Sequence, residues 1–78
     1  MNLKLLALNL LANNPTAREG IAKMRGGAST DKGAADILRY LRKATTEMGI
    51  KRGGIEKDAL EVMTIALDHA IERLGAKK

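Results

Sequence analysis

Two stretches of the chain carry an arginine followed directly by two glycines. Residues 23–27 read KMRGG and residues 50–54 read IKRGG, and each stretch precedes a segment with helical periodicity. Glycine-rich turns at helix N-termini can bind phosphate through backbone N–H groups, assisted by basic side chains. Arg25, Lys51 and Arg52 are therefore candidate anion contacts. Neither turn has the spacing of a nucleotide-binding loop, and the favoured interpretation is that the glycines end helices.

A second group of basic residues lies on one predicted helix. Arg39, Arg42 and Lys43 project away from its apolar seam, beside Tyr40. Such a face can lie along a nucleic-acid backbone, although Asp36 partly neutralises it and an ordinary solvated face is the simpler interpretation. This helix lacks Asn and Gln, the usual base readers, so any contact with nucleic acid is expected to be weak and independent of sequence.

Residues that support catalysis or metal binding are scarce. Ser29 is the only serine, and the chain has no cysteine. His69, the only histidine, has Asp68 and Glu72 nearby, and two copies in a dimer could form a carboxylate–histidine site of the kind found in helical bundles. One histidine without cysteine is nevertheless a poor ligand supply. We therefore predict a protein that is not an enzyme and binds no metal or cofactor.

The composition predicts a small aliphatic core. The 78 residues include 11 Leu and 6 Ile but no Phe, Trp or Cys, so neither aromatic bulk nor a disulfide strengthens the fold. Small domains of this kind often gain burial by oligomerising, and we expect a homo-oligomer. No apolar run approaches the ~18–20 residues of a membrane span. The N-terminus lacks a signal-peptide cleavage site, which favours a cytoplasmic protein.

Charge is distributed unevenly along the chain. Residues 1–54 carry ten basic and four acidic side chains, a net charge of +6, whereas residues 55–74 carry two basic and five acidic side chains, a net charge of −3. The overall charge is +5. A basic balance favours anionic partners, although the negative segment can also lie against the positive one.

Hydrophobic periodicity predicts an all-α protein, a compact bundle of about four helices in a single domain. The two short and two longer helices are expected over residues 3–13, 15–25, 31–48 and 55–74, followed by a frayed tail at 75–78. Strand signals are missing from the sequence.

Local residues predict where these helices begin and end. Asn14 with Pro15 is a good N-terminal cap for the second helix, and Ser29 or Thr30 caps the third. Gly26 and Gly49 follow the last periodic residues of their helices, and each is predicted to be a C-terminal cap with positive φ. Within the second helix, Gly20 permits close approach of a neighbouring element.

The apolar stripes identify residues expected to form the core or the contact between copies. The first helix is apolar around most of its circumference, so it should be buried or shared with a partner. The third and fourth helices each carry a seam with steps of three and four residues. The residues predicted for association or core packing are Leu3, Leu6, Leu10, Ile37, Leu41, Leu60 and Leu67.

The segment MNLKLLALNLLANNPTAREGIAKM resembles the openings of small helical proteins encoded in phages and prophages. In those proteins a Leu-rich start meets NNP and another short helix. The resemblance covers the first third of the chain at most and contains no diagnostic residue. It implies a phage accessory or virion-associated protein, located in the cytoplasm or within a virion.

Together these features predict a small non-enzymatic module that associates with copies of itself. Association with another protein is an alternative that the sequence leaves open. The alternative is a sequence-non-specific nucleic-acid-binding protein. Its contacts would be Arg25, Arg39, Arg42, Lys43, Lys51 and Arg52.

Overall fold

The computed structural model describes residues 2–76, and these residues form four α-helices and one short 3₁₀ turn. The helices are α1 (Leu3–Ala12), α2 (Pro15–Met24), α3 (Asp31–Ile50) and α4 (Gly54–Ala76), and the 3₁₀ turn at Arg25–Gly27 follows α2. The predicted all-α bundle of four helices is confirmed. The predicted frayed tail is wrong for positions 75 and 76, which continue α4, and Lys77 and Lys78 lie outside the described residues.

Side-chain caps define the beginnings of the first three helices. Asn2 Oδ1 accepts hydrogen bonds from the backbone N–H groups of Lys4 and Leu5 at the start of α1. Asn14 Oδ1 accepts from the Ala17 N–H at 3.0 Å, and Pro15 occupies the first helical position of α2, as the sequence predicts. These contacts satisfy N–H groups that have no partner within the helix.

Thr30, rather than Ser29, caps α3. Its hydroxyl oxygen accepts from the Gly33 N–H at 2.9 Å and donates to the Gly27 carbonyl oxygen at 3.1 Å, so one side chain joins α3 to the 3₁₀ turn. The two backbones touch at this point, because a Cβ placed on Gly33 would lie 1.7 Å from the Gly27 oxygen. The second glycine of the first Arg-Gly-Gly sequence, Gly27, therefore lies where the backbone of the 3₁₀ turn contacts the backbone of α3 at Gly33.

The prediction that Gly26 and Gly49 end helices with positive φ is wrong. Gly26 belongs to the 3₁₀ turn, and Gly49 is buried inside α3, where a Cβ would lie 3.8 Å from Leu60 Cβ. Among the described residues only Gly54 has positive φ, at 64°, and it begins α4. A glycine at a helix–helix contact and a terminal glycine look alike in sequence, because both interrupt the apolar pattern.

The core is built on the antiparallel pair of α3 and α4, with α1 packed on α4 and α2 on α3. Leu60 of α4 is fully buried at its centre, next to Gly49 of α3. Of the seven residues predicted for core or association, Leu60 and Leu67 are buried, and the others are half-buried: Leu3, Leu6, Leu10, Ile37 and Leu41. The half-buried members, apart from Ile37, pack against the buried cluster.

Tyr40 ties α2 to α3. Its hydroxyl donates a hydrogen bond to the Thr16 carbonyl oxygen at 2.9 Å. Its ring covers Gly20, where an added Cβ would lie 2.1 Å from the ring carbon Cζ. The close approach predicted at Gly20 is confirmed, and its neighbour is the only aromatic side chain of the protein.

Thr45 of α3 and Thr64 of α4 form a hydroxyl bridge between the two long helices. Their Oγ1 atoms are 2.8 Å apart, and the Thr45 side chain is buried. Thr45 Oγ1 also lies 2.9 Å from the Arg42 carbonyl oxygen, and Thr64 Oγ1 lies 2.9 Å from the Leu60 carbonyl oxygen, so one hydroxyl can donate across the bridge while the other donates within its own helix. A buried hydroxyl requires such partners, so the bridge fixes the register of α3 against α4.

We expect Thr45→Val to lower the free energy of unfolding by about 1 kcal/mol, because the bridge is lost without a change of side-chain volume. Thr46→Val is the matched control, since Thr46 is exposed and water can replace its bond to the Arg42 carbonyl oxygen. The control should change stability by less than about 0.5 kcal/mol. Urea unfolding of both variants measures the difference, and equal midpoints would contradict the role of the bridge.

We expect Gly54→Ala to destabilise the protein by about 1 kcal/mol, because alanine is strained at a φ of 64°. The melting temperature should fall by about 4–8 °C in a domain of this size. Gly53→Ala is the control, since its φ is not positive and an added Cβ would meet nothing within 4 Å. Identical thermal transitions for the two variants would rule out this explanation of the second glycine pair.

Candidate interaction surfaces

Polar groups suited to catalysis or metal binding are dispersed in the structure. Within residues 2–76, no three His, Asp or Glu side chains are arranged so that they could hold a metal ion. His69 is exposed on α4, and Ser29 is exposed in the turn before α3.

Of the six basic residues predicted as anion contacts, three do not line the groove that the other three share: Arg25, Arg39 and Arg42. Arg25 is exposed in the 3₁₀ turn. Arg39 Nη1 lies 3.2 Å from Asp36 Oδ1, and the Arg42 guanidinium contacts the Asp68 carboxylate of α4. Exposed ion pairs of this kind contribute little to stability, but they lower the positive potential of the face that carries Arg39 and Arg42.

The other three basic residues, Lys43, Lys51 and Arg52, line one groove between the start of α2 and the second half of α3. This groove has a volume of about 540 Å³ and is called the cationic groove below. Lys43 of α3 and Lys51, which caps the C-terminus of α3, are eight residues apart, and Glu47 lies between them in the same groove. Arg52 Nη1 is 3.3 Å from Glu56 Oε1. The groove is therefore positive but partly neutralised.

A second groove follows the contact between the two long helices and is mainly apolar. This α3–α4 groove has a volume of about 390 Å³ and is lined by Thr45, Thr46, Gly49, Ile50, Lys57, Glu61, Thr64 and Ile65. Ile50 is 78% exposed and Ile65 is 58% exposed. Two large aliphatic side chains thus stand in solvent at the border of the same groove.

The outward side of α1 is also apolar. Ala7 and Leu11 are buried in the core, whereas Leu5 is 59% exposed and Leu8 is 51% exposed. With exposed Ala12, these residues form an outer stripe at positions i, i+3 and i+7. The first helix is expected from the sequence to be apolar around most of its circumference. In the structure one of its apolar faces is buried in the core and the other is exposed to solvent.

Most large aliphatic side chains of the protein keep some contact with solvent. All 17 Leu and Ile residues lie in the described part of the chain, and only Leu11, Leu60 and Leu67 are buried. Nine are half-buried and five are exposed: Leu5, Leu8, Ile50, Ile55 and Ile65. Scattered exposed aliphatic residues are common in folded proteins, and here the five exposed side chains are available for contact with another molecule.

Sequence reasoning did not identify the exposed members of this set. The prediction that Gly49 ends the helix leaves Ile50 outside it, whereas α3 continues through both residues. Because α3 continues to Ile50 and is capped by Lys51, the helical spacing of Lys43 and Lys51 can be recognised only when the true end of the helix is known. Ile65 is not among the predicted core or association residues because it lies off the apolar seam of α4 that contains Leu60 and Leu67.

No protein-family model, curated protein or solved structure matches the chain. Within residues 2–76, no helix is long and apolar enough to cross a membrane.

Proposed function

We propose that the protein is a small non-enzymatic assembly module that associates with copies of itself through apolar helix faces. The observation that carries the proposal is the incomplete burial of its aliphatic residues, of which 14 of 17 Leu and Ile retain contact with solvent. Removing apolar surface from water stabilises an assembly by about 25 cal/mol per Å². A second copy of the chain supplies apolar surface of the same kind.

The small size of the core supports the same proposal. Four of the nine buried hydrophobic residues among those described are alanines: Ala7, Ala17, Ala35 and Ala59. Alanine buries little area, so the monomer depends on a few larger side chains around Leu60. Chains of this length have marginal cores, and oligomerisation is one of the ways in which they gain stability.

The surface required for such an assembly is modest. A standard interface buries about 800 Å² on each partner, which is about 15% of the 5444 Å² surface of the monomer. The five exposed aliphatic side chains lie on α1, α3 and α4, so a contact of this size can include several of them.

We further propose a phage setting, as an accessory or virion-associated protein. Support for this part comes from the resemblance of MNLKLLALNLLANNPTAREGIAKM to the openings of phage-encoded helical proteins. Small modules that assemble through helix faces suit such a role because they can form repeated structures from one short chain.

Sedimentation velocity measures the proposed self-association. The measurement covers protein concentrations from about 1 to 100 µM, which correspond to association free energies of about 8 to 5.5 kcal/mol. At the upper concentrations the protein should sediment as a dimer or a larger species. The association should persist or strengthen at high salt, because apolar burial is not screened. A monomer at every concentration and salt would contradict the proposal.

A second candidate function, nucleic-acid binding, has support from the cationic groove. Lys43, Lys51 and Arg52 converge there although they are up to nine residues apart in sequence. Their side chains are of the type that contacts phosphate groups, and backbone contacts carry no sequence preference. Glu47 within the groove limits the expected affinity.

Fluorescence anisotropy with a labelled DNA duplex tests this candidate at about 50 and 200 mM salt. We expect weak binding whose logarithm falls with the logarithm of salt by about 0.9 for each phosphate contact. Replacing Lys43, Lys51 and Arg52 together by Gln should reduce that slope.

The matched control replaces Lys4, Lys32 and Arg73 by Gln. It removes the same charge from exposed positions that do not line the cationic groove. Equal loss of binding in both triple variants would indicate an effect of net charge alone. No binding by the wild-type protein at the lower salt would eliminate the candidate.

A further inference from the structure

The α3–α4 groove combines features that a contact between identical surfaces requires. Ile50 and Ile65 are exposed on its border, on different helices. Buried Gly49 lines it without a side chain, so no side chain at that position fills the space between them. The resulting depression, about 390 Å³ in volume, can receive a large aliphatic side chain from another molecule.

We propose that two copies of the protein pair through the α3–α4 groove about a two-fold axis, so that Ile50 and Ile65 of each copy enter the groove of the other. The inference rests on the proposed self-association and names the surface that carries it. A two-fold contact uses the same patch on both copies and must therefore be complementary to itself.

Charge supplies that complementarity. The groove contains one basic and one acidic side chain, Lys57 and Glu61, both exposed on α4. In a two-fold arrangement Lys57 of one copy can face Glu61 of the other, and the same pair is formed a second time by symmetry. A groove that is neutral overall offers no attraction to a strongly charged partner, so a second copy is the occupant that fits best.

The polar groups in the groove do not oppose its closure. The hydroxyl groups of Thr45 and Thr64 lie within hydrogen-bond distance of each other and of the Arg42 and Leu60 carbonyl oxygens, so both hydroxyl hydrogens have acceptors within the protein. Thr46 Oγ1 likewise donates to the Arg42 carbonyl oxygen. Covering the groove therefore leaves these hydroxyls with hydrogen-bond partners, which is the condition for burying polar groups without a large penalty.

The side of the α3–α4 pair that α1 covers is a different one. The core cluster that includes Ala7 and Leu11 of α1 contains none of the residues that line the groove. With α1 on one side and a second α3–α4 pair on the other, the two long helices would be covered on both sides. The two pairs together would form a four-helix contact of the kind found in helix bundles.

The first test compares two pairs of exposed aliphatic residues by sedimentation. Ile50→Ser with Ile65→Ser should raise the dimer dissociation constant at least about tenfold, because each substitution is present on both copies. Leu5→Ser with Leu8→Ser is the matched control on the outer stripe of α1 and should leave the dissociation constant within about twofold. Circular dichroism checks that both variants remain helical.

The second test reverses the charges in the groove. Lys57→Glu alone and Glu61→Lys alone should each weaken the dimer, because like charges would face each other across the axis. The double variant Lys57→Glu with Glu61→Lys should recover the wild-type dissociation constant. A residue pair that acts only within its own helix would not change the dissociation constant in any of the three variants.

The outcomes separate the inference from the proposed function. Loss of the dimer in the Ile50/Ile65 variant, together with recovery in the charge-reversed double variant, supports the groove as the interface. A dimer that is lost only in the Leu5/Leu8 variant overturns the groove and leaves self-association intact. A wild-type protein that is monomeric throughout overturns both.

Discussion

Close packing of α3 against α4 around Leu60 is the contact on which the other parts of the structure depend. Leu60 is fully buried, and Gly49 lies opposite it because a glycine lets the two helices approach. One turn away, the hydroxyl bridge between Thr45 and Thr64 holds the same register. Further along, an ion pair joins Arg42 of α3 to Asp68 of α4. The α1 helix packs on α4 and the α2 helix packs on α3, so both depend on the position of the two long helices.

This arrangement also explains why so much apolar surface stays open. Two helices joined by a short turn have two sides, and within residues 2–76 only one further helix, α1, packs extensively on α4. The short α2 is attached to α3 largely through Tyr40, which covers Gly20 and bonds to the Thr16 carbonyl oxygen. The opposite side of the α3–α4 pair is left without a covering element from the described chain. A protein with few bulky side chains therefore exposes Ile50 and Ile65 rather than burying them.

The sequence was sufficient to predict the helices and several of their caps. Asn14 and Pro15 have a local effect, so their roles could be read without knowledge of the tertiary structure. Buried seam residues such as Leu60 and Leu67 followed from periodicity alone. Glycines were misread where their role depends on a distant partner: Gly49 faces Leu60, and the positive φ falls on Gly54 instead. The grouping of Lys43, Lys51 and Arg52 in one groove, and the ion pair between Arg42 and Asp68, likewise required the packing of α2 and α4 on α3.

The central claim is that the folded chain completes its apolar burial by pairing with itself, and small-angle X-ray scattering tests it most directly. The monomer has a mass of 8.4 kDa and a Cα radius of gyration of 12.5 Å. With rising concentration, the forward scattering should approach twice that mass. The radius of gyration should rise to about 15 Å or more, the value for a compact assembly of twice the chain length. A mass that stays at 8.4 kDa with a radius near 12.5 Å at every concentration would contradict the claim.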